Sequence, residues 1–149
     1  MAVLKIERTF RVPPETVFAF VTQTDLLLKW WGPEGTSVAE HDLDLSRPGP
    51  WWFVLVDPAG GRHRVDGVVL AVDPPRSVEF TLIVHSADGP PAIDSIVRFD
   101  VSAGGDGTTR FVLTQSGLAD DQMAAASSSG WVSTLTRLEQ LLHRDSPTT

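Results

Sequence analysis

The sequence predicts an α+β fold: a curved antiparallel sheet wrapped around one long C-terminal helix, with two short helices near the N-terminus. Three observations predict it. Period-two alternation opens the chain and returns for about six segments between Thr36 and Ser116. Two short helical stretches interrupt it once, between Pro13 and Trp31. After Asp120 the apolar period becomes that of a helix. A single terminal helix is the element able to cover a curved sheet's concave face.

The elements follow in order. Leu4, Ile6, Phe10 and Val12 alternate with Lys5, Glu7, Thr9 and Arg11, which predicts a half-buried first strand. Pro13-Pro14-Glu15 opens a helix, because proline in the first turn forfeits no hydrogen bond and Glu15 suits the positive end of the helix dipole. Val17, Phe18 and Val21 give that helix its apolar stripe. Thr24 or Asp25 is the expected cap of a second short helix carrying Leu27, Leu28, Trp30 and Trp31. Gly32, Pro33 and Gly35 then reverse the chain.

Val38 to Leu45 alternates, and Pro48-Gly49-Pro50 turns the chain into the apolar run Trp51 to Val56. Asp57-Pro58-Ala59-Gly60-Gly61 is a strong turn, and Asp73-Pro74-Pro75-Arg76 a tight corner after the strand Val65 to Val72. Val78, Phe80, Leu82 and Val84 alternate, as do Ile93, Val97, Phe99 and Val101. Ala103-Gly104-Gly105-Asp106-Gly107 is a hairpin loop into Thr109 to Ser116. From a cap at Asp120 or Asp121, one helical face carries Met123, Ser127, Gly130, Trp131, Thr134, Leu135, Leu138 and Leu142. Ser127-Ser128-Ser129-Gly130 forms helix poorly, so packing must help hold it. This order of elements is the helix-grip architecture.

Composition bounds the function. The 149 residues fit one domain, 1–144, with a frayed tail at 145–149, long enough to bury roughly 70% of the unfolded surface. A net charge of -7 with scattered Lys and Arg argues against nucleic acid, since phosphate binding needs clustered cations. With no cysteine, disulfides and thiolate chemistry are excluded. Apolar runs fall short of the ~20 residues that span a bilayer, so no membrane insertion is expected. No signal peptide is visible, and the expected compartment is the cytoplasm.

Ordered along the chain, several stretches resemble the START-like (SRPBCC) superfamily, to which the birch-pollen-allergen fold belongs. The resemblance is to its bacterial branch of Hsp90-ATPase-activator homologues. They are Ile6-Glu7-Arg8-Thr9-Phe10, Pro14-Glu15-Thr16-Val17-Phe18, Leu28-Lys29-Trp30-Trp31-Gly32-Pro33-Glu34-Gly35, Asp73-Pro74-Pro75-Arg76, Gly107-Thr108-Thr109-Arg110 and Gly130-Trp131 with Leu135 and Leu138. The resemblance implies a cavity between sheet and last helix that accepts a hydrophobic small molecule, and it admits a homodimer. It implies no shared catalytic motif. Where relatives often carry a Gly-Gly pair and a tyrosine, this chain has Arg47-Pro48-Gly49-Pro50-Trp51-Trp52, and it contains no tyrosine at all.

Alternation nominates the inward polar residues. Arg8 shares a face with Leu4 and Ile6, His41 with Leu43 and Leu45, Ser95 with Val97, and Gln115 with Phe111 and Leu113. A cavity is one place for such groups to find partners; a carboxylate, the helix end or the sheet rim is another. Trp30, Trp51, Phe53, Phe80, Phe99, Phe111, Trp131 and Leu135 complete the candidate lining, with packing as their ordinary role. Ser127 and Gly130 leave volume that larger residues would fill; solid packing there would remove the cavity hypothesis.

No metal-ligand spacing relates His41, His63, His85 and His143, and no nucleophile elbow, phosphate loop or dinucleotide fingerprint appears. The leading expectation is therefore a non-enzymatic domain binding a hydrophobic or aromatic small molecule, with no cofactor or metal. Two alternatives stand: a cyclase- or hydrolase-type enzyme using Arg8, His41 or Asp66, and a co-chaperone-like or regulatory interaction domain.

Overall fold

The computed structural model describes residues 2–32, 35–85 and 93–145. Its elements, in chain order, are β1 (Ala2–Phe10), α1 (Pro14–Thr22), α2 (Thr24–Leu27), β2 (Ser37–Asp42), β3 (Gly49–Val56), β4 (Arg62–Asp73), β5 (Ser77–Val84), β6 (Ile93–Gly105), β7 (Thr108–Leu118) and α3 (Asp121–Asp145). The strands form one antiparallel sheet in the order β1-β7-β6-β5-β4-β3-β2. Consecutive strands pair from β2 to β7, and β1 closes the far side against β7, with Ile6 opposite Leu113 and Phe10 opposite Thr109. This is the helix-grip fold that the element order predicts.

Alternation does what the sequence requires of it in most strands. In β1, Ala2, Leu4, Ile6 and Phe10 are buried while Val3, Lys5, Glu7 and Thr9 face solvent. In β6, Ser95, Val97, Phe99 and Val101 face inward. The fully buried Phe10, Phe80, Phe99, Phe111 and Leu113 form the floor of the core. Burying each such side chain contributes about 1.5–3 kcal/mol.

α3 lies across this floor. Asp120 is its cap, the carboxylate accepting from the Met123 amide at 2.8 Å. Its C-terminal half buries Leu135, Leu138 and Leu142, and the packing of the helix concentrates on β1 and β7. The helix continues through the weak Ser127–Gly130 stretch and reaches Asp145. The remaining tail, 146–149, lies outside the described residues.

Three local expectations are corrected. α2 is capped at Gln23, not at Thr24 or Asp25, and it makes only one turn. The Thr24 hydroxyl instead donates to the Leu43 carbonyl at 2.5 Å, tying the chain after β2 to the helices. Trp30 and Trp31 therefore lie in the turn beyond α2, held by amide bonds back to the Leu27 carbonyl. The third concerns β2. A bulge between Val38 and Glu40 and the end of the strand at Asp42 break the alternation. Leu43 and Leu45 are buried, yet His41 is exposed, because the phase does not carry across the strand's end.

One close approach brings β4 and β5 together at Gly67. A Cβ on Gly67 would lie 1.9 Å from the Thr81 carbonyl oxygen, and the neighbouring Val68 amide donates to the Thr81 hydroxyl at 2.8 Å. Glycine in a strand often marks such contact between backbones. Gly67→Ala has to separate β4 from β5, so a loss of at least about 2 kcal/mol is expected, read as a lowered urea midpoint.

Candidate functional site

The packing of α3 leaves its N-terminal half standing over the other side of the sheet. Beneath it lies a cavity of about 280 Å³. Its floor comes from Phe53 and Leu55 of β3, Val65 of β4, Leu82 and Val84 of β5, Ile93 of β6 and Gln115 of β7. Its roof is Met123, Ala126, Ser127, Gly130, Trp131 and Thr134 of α3, and Trp31 and Gly32 close one side. These α3 residues recur at helical spacing, which puts them on one face. No charged side chain borders the cavity among the described residues.

Six rings support this space. Trp31, Phe53, Trp51, Phe80, Phe99 and Trp131 form a closed circuit with neighbouring centroids 5.2–6.1 Å apart. Trp51 and Phe53 are stacked, with an interplanar angle of 14°, and the other five contacts are edge-to-face. Both geometries satisfy the rings' quadrupoles.

The turn carrying Trp31 is held from three sides. The Trp30 indole N–H donates to the Phe20 carbonyl at 2.9 Å, fastening the turn to α1. From α3, the Arg137 guanidinium donates to the Gly32 carbonyl at 2.7 Å and to the Trp31 carbonyl at 3.4 Å. Gly32 itself has φ +92°, and a Cβ there would stand 2.6 Å from the Thr36 hydroxyl and 2.9 Å from the Leu55 side chain. The position thus requires glycine on two grounds, backbone conformation and space.

A buried polar relay runs under the roof. The Trp131 indole N–H donates to Gln115 Oε1 at 2.9 Å, Gln115 Nε2 donates to the Ser95 hydroxyl at 2.8 Å, and that hydroxyl donates to the Leu82 carbonyl at 3.0 Å. Ser95 and Gln115 are thereby satisfied in the interior, as buried polar groups must be.

The candidate residues divide into three groups. Phe53, Gln115, Ser127, Gly130 and Trp131 line the cavity. Trp30, Trp51, Phe80, Ser95, Phe99, Phe111 and Leu135 are buried behind it. Arg8, His41 and Asp66 lie outside its lining. Arg8 follows the inward phase of β1, but its long side chain reaches out to the Glu7 carbonyl at 2.8 Å. His41 lies on the edge strand β2, and its ring accepts from the Leu43 amide at 3.4 Å. Asp66 pairs at the surface with His85 at 2.9 Å and Arg64 at 3.3 Å. Sequence reasoning missed Trp31 and Gly32 as walls, as well as the aliphatic floor. The floor's phase was legible; that α3 leaves this part of the sheet uncovered was not.

The carboxyls held below their ordinary range lie away from the cavity. The Arg110 guanidinium does this to Glu7, and the His63 ring with the Gly61 and Ala59 amides does it to Asp57. For Asp44, burial pushes upward but is outweighed by the Ser46 hydroxyl and amide and by Arg47. No group of three His, Cys, Asp or Glu side chains able to hold a metal occurs among the described residues. Nor is any described helix long and apolar enough to cross a membrane.

With this geometry in view, the comparisons with known proteins are specific. Residues 11–143 match the family of activator of Hsp90 ATPase homolog 1-like proteins. A crystal structure of the AHSA1 protein from Silicibacter pomeroyi is 41% identical, with 97% of this chain and 100% of that one covered and a TM-score of 0.91. A protein from Nitrosomonas europaea is 27% identical over 96% and 95% of the two chains, with a TM-score of 0.77. One from Chromobacterium violaceum is 25% identical over 94% and 96%, with a TM-score of 0.79. No curated protein matches the chain. The chain belongs to the activator of Hsp90 ATPase homolog 1-like family, within the START-like (SRPBCC) superfamily.

The clamp on the Trp31 wall is open to test. Arg137→Met keeps the stem and removes the charged donor to Gly32. Hydrogen bonds to charged groups contribute about 1.5–3 kcal/mol. A loss of stability in that range is expected by thermal or urea unfolding.

Proposed function

We propose that this family member holds an uncharged hydrophobic or aromatic small molecule in the cavity between the sheet and α3, without performing chemistry on it. The observation that carries this reading is the cavity itself: about 280 Å³ walled by Trp31, Phe53, Trp131 and aliphatic side chains. Ligand sites are typically apolar concavities with a few placed polar groups. An apolar cavity of about 150 Å³ accommodates benzene, so this one suits a ligand of one or two rings. That the superfamily's fold generally binds hydrophobic ligands supports the same reading.

The enzymatic alternative needs a titratable group in reach of the bound molecule. Arg8, His41 and Asp66 are outside the lining, and no other acid, base or charged donor takes their place among the described residues. An interaction role, suggested by the family's description, calls for a contiguous exposed apolar patch. Among the described residues the exposed large hydrophobics are Val3, Val68, Leu70, Ile96 and Val132, and Ile96 is flanked in the sheet by Thr81 and Ser116 rather than by apolar side chains.

Native mass spectrometry of the freshly purified protein is expected to show a co-purifying small molecule released on denaturation. Independently, ligand-observed NMR is expected to show saturable binding of 2-methylnaphthalene. Gly130→Leu fills the roof of the cavity and should weaken that binding about tenfold or more, with the fold retained. Binding undiminished in this variant overturns the assignment to this cavity.

A further inference from the structure

The cavity has a polar corner that the protein leaves unfinished. The Ser127 hydroxyl oxygen is buried and has no hydrogen-bond partner. Serine and threonine within helices commonly donate to the carbonyl four residues earlier. Among the described residues, Thr22 donates so to Phe18, Thr134 to Gly130 and Thr136 to Val132, at 2.7–2.8 Å. Ser127 does not, although it stands on the same helix as two of them. A buried hydroxyl left unpaired costs about 1–3 kcal/mol, and each such group in a folded protein calls for an explanation.

Its surroundings supply one. Trp131 lies one helical turn beyond Ser127, on the same face, and its indole N–H is already committed to Gln115 Oε1. Gln115 also borders the cavity. Its amide nitrogen carries two N–H donors, one of them directed at Ser95, and its carbonyl oxygen has a second lone pair. Ser127 and Gln115 therefore give one corner of a mostly apolar lining hydrogen-bonding capacity to spare and no charge, whereas the lining's other hydroxyl, Thr134, is committed to the Gly130 carbonyl.

Resting on the cavity-binding reading above, we infer that the ligand class is amphipathic: an aromatic or aliphatic ring body carrying one neutral hydrogen-bonding group, a hydroxyl or carbonyl, seated at the Ser127–Gln115 corner. A charged carboxylate or ammonium does not fit, since nothing in the lining compensates a buried charge. A pure hydrocarbon fills the volume and leaves Ser127 unpaired.

The test pairs two probes of similar shape, 2-naphthol and 2-methylnaphthalene, against the wild-type protein and Ser127→Ala, with dissociation constants from ligand-observed NMR titration. The expected result is a selective loss: 2-naphthol weakens about five- to tenfold in Ser127→Ala, as for one net hydrogen bond, while 2-methylnaphthalene changes less than about twofold. Equal effects on both probes, or none on either, overturn the polar anchor and leave the cavity reading standing. Failure of both probes to bind the wild type sinks the cavity reading and this inference with it. A second readout needs no ligand. Because the hydroxyl is unpaired, Ser127→Ala should raise the unfolding temperature of the free protein; a lowered temperature would mean that the hydroxyl is satisfied within the fold, and would overturn the inference.

Discussion

The closed circuit of Trp31, Phe53, Trp51, Phe80, Phe99 and Trp131 is the constraint on which the rest of the structure depends. It joins three strands, the terminal helix and the turn after α2 through ring contacts alone. An aromatic pair contributes about 0.5–1.5 kcal/mol beyond its buried area. The more important consequence is geometric. Large, flat, rigid side chains in edge-to-face contact fix the distance between helix and sheet, and they do so without filling the space beside them. The helix is propped as well as packed.

That propping explains how a cavity survives in a fold of this size. Protein interiors are normally close-packed, and apolar space left empty forfeits contact energy. The cavity opens to solvent, so its cost is the contact energy that helix and sheet forgo across it. A collapse of α3 onto the sheet would recover that energy, but Trp131 stands between the helix and Phe99, and Trp31 between the helix and Phe53. Arg137 locks the Trp31 turn to α3 from outside the apolar region. A guest molecule restores the missing contacts without disturbing any of these.

Much of this was legible in the residues. The strands announced themselves through alternation, the hairpins through Gly, Pro and Asp, and α3 through its change of period. Ser127 and Gly130 were readable as missing volume, and both border the cavity. What the sequence hid were phase slips and directions. His41 was misplaced by a bulge and a strand end that leave no mark in the hydrophobic pattern. Arg8 has the right phase, but a side chain long enough to leave the face on which it starts. Trp31, adjacent to Trp30, was indistinguishable from it in sequence, yet one lines the cavity and the other is sealed beneath it with its indole bonded to Phe20. That choice depends on where α2 stops, and a one-turn helix has too little pattern to say.

α3 resolves a conflict between stability and a site by dividing the two along its length. From Thr134 onward, buried Leu135, Leu138 and Leu142 anchor it on the sheet. Before that, Ser127-Ser128-Ser129-Gly130 gives up helix propensity of about 2 kcal/mol relative to alanine. A residue large enough to repair packing there would occupy the cavity, and one with better propensity at Ser127 would remove its polar corner. The weakness is therefore confined to the stretch where the roof must be thin. Helix formation is cooperative, so the leucine-anchored half holds the serine-rich half in register and lets it remain locally suboptimal. Confinement of this kind is expected of a binding site, where local rules are broken and the surroundings compensate.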